Sequence, residues 1–138
     1  MRALCELVSQ RPVVGQRILM NQKLGNRHHA HFAQMATPLQ QTFDQFVLGC
    51  DPEYVKHCKD YADEDPVATM LAMCRQDLRA AGVSEERLIV QAQQREAVST
   101  ALALAQPGDL LVLLAEPWVA LPVIEKWRAR HAAETVTG

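Results

Sequence analysis

The chain has 138 residues and a mass of 15.4 kDa, enough for one domain with a real buried core. Hydrophobic residues make up 49% and charged residues 22%, which excludes a disordered, strongly charged segment. The net charge of −2, with no basic block and no interleaving of arginine with aromatics, argues against nucleic-acid binding, because phosphate contacts need clustered positive charge.

The first ten residues are too short and too polar for a secretory leader, and no apolar run approaches membrane-spanning length. The four cysteines (Cys5, Cys50, Cys58, Cys74) form no CxxC pair. Reduced thiols in a cytoplasmic protein are the resulting expectation.

Taken in chain order, Ala3, Leu4, Leu7 and Val8 share one helical face, so residues 1–9 read as an amphipathic helix ended by Arg11-Pro12. Residues 17–20 form a short strand candidate, with a turn at Leu24-Gly25-Asn26. A helix over 28–41 carries Phe32, Met35, Ala36 and Leu39, with Pro38 as an expected break or kink. Residues 43–50 have strand composition. Residues 51–66 have no clean period and six acidic residues against Lys56 and Lys59, which reads as a long loop.

Periodicity returns at Val67, Met70, Leu71, Cys74, Leu78 and Ala81, with Gly82 where a helix C′ glycine belongs. Residues 88–90 read as a short buried strand. Residues 96–105 read as a helix turning Ala97, Val98, Ala101, Leu102 and Ala105 to the core. After the Pro107-Gly108 turn, the apolar run 110–114 suits a strand covered on both faces, as in a parallel sheet. A last helix is expected to open at Pro122, with Lys126, Arg128 and Arg130 near its end, before a frayed tail from Ala132. Strands alternating with helices predict an α/β fold: a Rossmann-like three-layer αβα sandwich around a mostly parallel sheet of about four strands.

Several groups could carry chemistry. Gly25-Asn26-Arg27 follows a strand and opens a helix, where free backbone N–H groups favour anions and Arg27 could make a bidentate contact. The plainer alternative is an ordinary turn with Asn26 as N-cap and Arg27 in solvent. His28, His29 and His31, with Cys50, His57 and Cys58, invite a metal reading, but no HxxxH or CxxC spacing ties them together, and surface histidines explain them more simply. Asp60, Asp63, Glu64 and Asp65 could bind a cation or basic substrate, though a solvated loop ending in N-cap Asp65 before Pro66 is the simpler account. Met70, Met73 and Cys74 belong to a core face. There is no GxxxxGK[ST] phosphate loop, and no GxGxxG follows any strand, which weakens a dinucleotide-binding reading.

The order Gly82-Val83, Glu86-Arg87-Leu88-Ile89-Val90, Arg95-Glu96-Ala97, Ala101-Leu102, Ala105 and Pro107-Gly108-Asp109-Leu110 resembles the C-terminal domain of Mur-type ATP-dependent amide ligases. Among these it looks most like cyanophycin synthetases. In that family an AGV-x-x-x-R-I-x-V strand leads into an E-A-I-x-x-A-L helix and then A-x-PGD-L-V-V-I-L. The stretch from Met1 through Val8 looks like the domain's first helix, which in the family follows a Tyr-x-His-Asn-Pro motif. Gly25-Asn26-Arg27 falls where cyanophycin synthetases have a Gly-Asp-Arg loop.

The resemblance implies a domain over residues 1–131 without its first strand, then a flexible tail over 132–138. It implies ATP and Mg²⁺ for a complete enzyme, held with a P-loop central domain, and none bound by this chain alone. The chain's partners would be the remaining ligase domains or further copies of itself, with an amino acid and ATP at a domain interface. Gly25, Asn26 and Arg27 would be its substrate- or nucleotide-binding residues, with no catalytic residue and no metal ligand. Two departures stand out: Asn26 replaces the family's acidic residue, and the acidic 51–66 segment replaces a basic, Arg- and Gly-containing loop. Ala115-Glu116-Pro117-Trp118 stands where the peptidoglycan ligases carry Gly-Lys-Gly. The alternative is a stand-alone non-catalytic module derived from that domain, binding a small anionic ligand or a protein partner.

Overall fold

A computed structural model describes residues 2–21, 29–49 and 66–137 of the chain. Among them are five α-helices, α1 (Arg2–Gln10), α2 (His29–Thr42), α3 (Pro66–Ala80), α4 (Gln94–Leu104) and α5 (Pro117–Thr137). Four strands alternate with them, β1 (Arg17–Asn21), β2 (Gln45–Leu48), β3 (Leu88–Val90) and β4 (Leu110–Leu114). All strands run parallel in one sheet of order β3-β2-β1-β4. The α/β three-layer expectation therefore holds.

The pleat sorts the core into two layers. Leu19, Phe46 and Leu48 pack with Cys5 and Val8 of α1, Ala36 and Leu39 of α2, and Met70, Leu71, Cys74 and Leu78 of α3. On the other face Met20 and Val47 meet Ala97, Val98, Ala101 and Leu102 of α4 and Ala120 of α5. The second layer is rich in alanine, which brings α4 close to the sheet. Gly49 makes that approach possible, because a Cβ there would sit 2.7 Å from Cβ of Ala97.

Helix α3 ends as its sequence dictates. Gly82, at φ 107°, sends its N–H to the Arg79 carbonyl, and Val83 sends its own to Leu78. That is the paired hydrogen-bond pattern of a Schellman C-cap, with Gly82 at the left-handed position.

Five expectations need correction. Residues 43 and 44 are not strand: the Phe43 N–H closes α2 on Leu39, Asp44 bends the chain, and β2 starts at Gln45. Helix α2 continues through Pro38 to Thr42, whose hydroxyl donates to the Pro38 carbonyl at 2.8 Å. The last helix opens at Pro117, not Pro122, because a proline at the first helical position loses no internal bond. Since that helix runs to Thr137, Lys126, Arg128 and Arg130 lie in its middle and not beside its terminal carbonyls. Finally, β3 is an edge strand with Val90 40% exposed, not a buried one. The apolar run of β4 is packed on both faces, with Leu110, Val112 and Leu114 on one and Leu111 and Leu113 on the other. It nevertheless sits at the sheet's opposite edge.

Candidate ligand-binding edge

A parallel sheet has two chemically distinct ends, and here they are occupied differently. At the amino ends of the strands, side chains bind backbone. The Asp109 carboxylate accepts the Gln16 N–H on Oδ1 and the Gln106 N–H on Oδ2, each at 2.8 Å. These bonds favour the ionised form, so the pKa of Asp109 lies below its ordinary value, with the Gln106 bond the larger cause. Gly15 lies so close that a Cβ there would fall 2.0 Å from the Asp109 carboxylate. Gly108, at φ 94°, makes the turn.

At the same end but toward the opposite sheet edge, Arg87 donates from Nε to the Asp44 carbonyl at 2.6 Å and from Nη2 to the Phe43 carbonyl at 2.7 Å. Its guanidinium carbon lies 5.8 Å from the centre of the Phe46 ring. Asp44 in turn accepts the Arg17 N–H at 2.8 Å. This end is a set of latches holding the strand starts in register.

The carboxyl ends are where open α/β sheets bind ligands, at the point where strand order reverses. With β2 and β3 on one side of β1 and β4 on the other, that point lies between β1 and β4. Asn21 ends β1 there, paired in register with Leu48 and Leu114. Its carbonyl accepts the Gly49 N–H at 3.1 Å. Its side chain is 1% exposed, and neither Oδ1 nor Nδ2 has a hydrogen-bond partner. An unpaired buried donor or acceptor costs on the order of 1–3 kcal/mol.

Two residues beyond Leu114, Glu116 caps α5 by accepting the Val119 and Ala120 N–H groups on its carbonyl, each at 2.9 Å. The Glu116 N–H donates to Gln94 Oε1 at 2.6 Å, tying the start of α4 to the start of α5. Both side chains are buried, and an acidic cap suits the positive end of the helix dipole. Trp118, 68% exposed, and Leu121 leave an apolar surface on the first turns of α5.

A groove of about 360 Å³ also opens between the C-terminal halves of α4 and α5, lined by Ser99, Leu102, Gln106, Trp127, Arg130 and His131. It faces the amino end of the sheet. The Trp127 and His131 rings meet within it in a tilted pair, 4.3 Å between centres and 38° between planes, and His131 Nδ1 lies 3.0 Å from the Trp127 carbonyl, a contact inside the helix itself. The groove lies at the end of the sheet away from the carboxyl-end strand-order reversal and is the weaker candidate.

Of the residues singled out in the sequence, Gly25, Asn26 and Arg27 lie outside the described residues, as do His28, Cys50, His57, Cys58 and the acidic run from Asp60 to Asp65. Met70 and Cys74 are fully buried and Met73 packs against the same cluster, as expected of a core face. Among the described residues, no three His, Cys, Asp or Glu side chains come together as a metal site. No described helix is long and apolar enough to cross a membrane. Sequence reasoning missed Asn21. The available signal was a lone amide at the end of the Ile18-Leu19-Met20 run, a residue type that strands disfavour.

No protein-family model matches the chain, and no curated protein does. Among solved structures, it is similar to a UDP-N-acetylmuramoyl-L-alanyl-D-glutamate–2,6-diaminopimelate ligase, with a TM-score of 0.55 and 21% identity over 80% of this chain. The chain spans 21% of that structure's length. The likeness is one of fold, extending over four-fifths of the chain.

Proposed function

We propose that this chain is the C-terminal domain of a Mur-type ATP-dependent amide ligase of the cyanophycin-synthetase kind, working in the cytoplasm and catalytically silent on its own. The observation that carries the reading is the fold likeness to a Mur ligase over 80% of the chain. It coincides with the family-like order from Gly82 to Leu110 in the sequence. Such ligases join a carboxylate to an amine at the cost of ATP. In that setting the carboxyl edge of the sheet would face the central domain and help enclose an amino acid and ATP, with Gly25, Asn26 and Arg27 contributing contacts.

ATP and Mg²⁺ belong to the complete enzyme on this reading. The chain has no GxxxxGK[ST] loop to cradle phosphates. No step through those groups is assigned to its described residues, among which no three His, Cys, Asp or Glu side chains come together.

A second reading, a stand-alone module that binds an anion or another subunit, is favoured by one feature. Asn26 and the acidic 51–66 segment both depart from the ligase pattern where ligand contact is expected. An assay of ATP-dependent amide formation by the isolated chain, over the common amino acids, tests the silence. No product is expected, and a measurable rate overturns it.

A further inference from the structure

Single side-chain atoms elsewhere, such as Arg17 Nε, are also buried without a hydrogen-bond partner, but Asn21 is the described residue in which both side-chain polar atoms are buried and unpaired. An amide is a poor strand residue, it sits in a row with Leu48 and Leu114, and both of its polar atoms are buried and unpaired. Sites where packing, propensity and polar satisfaction all disagree with the residue present are characteristically functional. The position agrees: Asn21 lies at the carboxyl end of β1, beside the strand-order reversal where ligands enter such sheets.

We infer that Asn21 is a recognition residue, whose carboxamide reads a flat, neutral group presenting a hydrogen-bond donor and acceptor side by side. The chemistry follows from the two unpaired atoms. A carboxylate would satisfy Nδ2 and leave Oδ1 unpaired, and an ammonium would do the reverse. A full charge placed between Leu48 and Leu114 would also lose its hydration. A primary amide or an aminopurine edge satisfies both atoms at once, as in bidentate pairing of asparagine with adenine. Both atoms are shut off from solvent in the unliganded chain, so binding requires the packing over Asn21 to open. The inference stands apart from the ligase reading, since it concerns binding by the isolated chain and needs no turnover.

The test titrates the full chain with two probes, adenosine for the aminopurine edge and nicotinamide for the primary amide. It follows the Asn21 side-chain NH₂ resonances in ¹⁵N-edited spectra, together with the melting temperature. The expected result is that one probe shifts those resonances and raises the melting temperature, and the probe that acts identifies the edge. Asn21→Leu is expected to melt at or above the wild type and to bind that probe about tenfold more weakly or worse. Should the variant not fold, the wild-type resonances decide alone. If neither probe moves them at millimolar concentration, or if Asn21→Leu binds as tightly as the wild type, the inference is overturned. Loss of this binding would leave the ligase reading standing, whereas amide formation by the isolated chain would remove that reading without touching this one.

Discussion

At the scale of single residues, the family-like positions in this chain turn out to be builders of the scaffold. Asp109, the acid of the Pro107-Gly108-Asp109 turn, accepts two backbone N–H groups and holds the start of β1 against the turn before β4. Its pKa is lowered in the fold, so its contribution is complete above the ordinary value of 3.8 and is lost as pH falls through the folded value. Asp109→Asn should therefore be less stable than the wild type at neutral pH, with the gap closing below about pH 4; denaturant melts across that range check it. Arg87 likewise belongs to the latch. Its two-pronged grip on the Phe43 and Asp44 carbonyls predicts a loss of about 1.5 kcal/mol for Arg87→Ala, only partly restored by Lys, which lacks the planar fork.

At the scale of elements, Gly49 decides how closely α4 can lie on the sheet. Gly49→Ala pushes a methyl into Ala97 and should cost about 1–3 kcal/mol, measured by urea unfolding. Met70 of α3 is fully enclosed by the first core layer, and Met70→Ala should cost about 2–5 kcal/mol in the same experiment. These elements were legible because periodicity announced them: Val67 to Ala81 repeats at helical spacing, and Gly82 marks the stop with its positive φ. What periodicity could not supply was placement in the sheet. Leu88-Ile89-Val90 and the run from Leu110 to Leu114 read alike as apolar strands, yet both are edges, because strand order depends on which crossovers pack together. Boundaries at proline were misjudged for a related reason. Pro117 and Pro122 are both compatible with the first turns of a helix, and the Glu116 cap, tied to Gln94 across 22 residues, selects the earlier one. The candidate site was barely legible, since its polar group is a single amide with no motif around it.

At the scale of the whole molecule, the two ends of the sheet divide the work. The amino end is cross-tied by Asp109, Arg87, Asp44 and Arg17, and the carboxyl end keeps its buried polar groups, Asn21, Gln94 and Glu116, around the strand-order reversal. The fold likeness to a Mur ligase covers 80% of this chain and 21% of that structure's length. The central claim is most directly tested by the mass of the native polypeptide that carries these residues, determined from its source by immunoprecipitation and intact-mass spectrometry. A polypeptide several times 15.4 kDa, containing a P-loop segment ahead of Met1, is the predicted result. A native polypeptide of 15.4 kDa would contradict it.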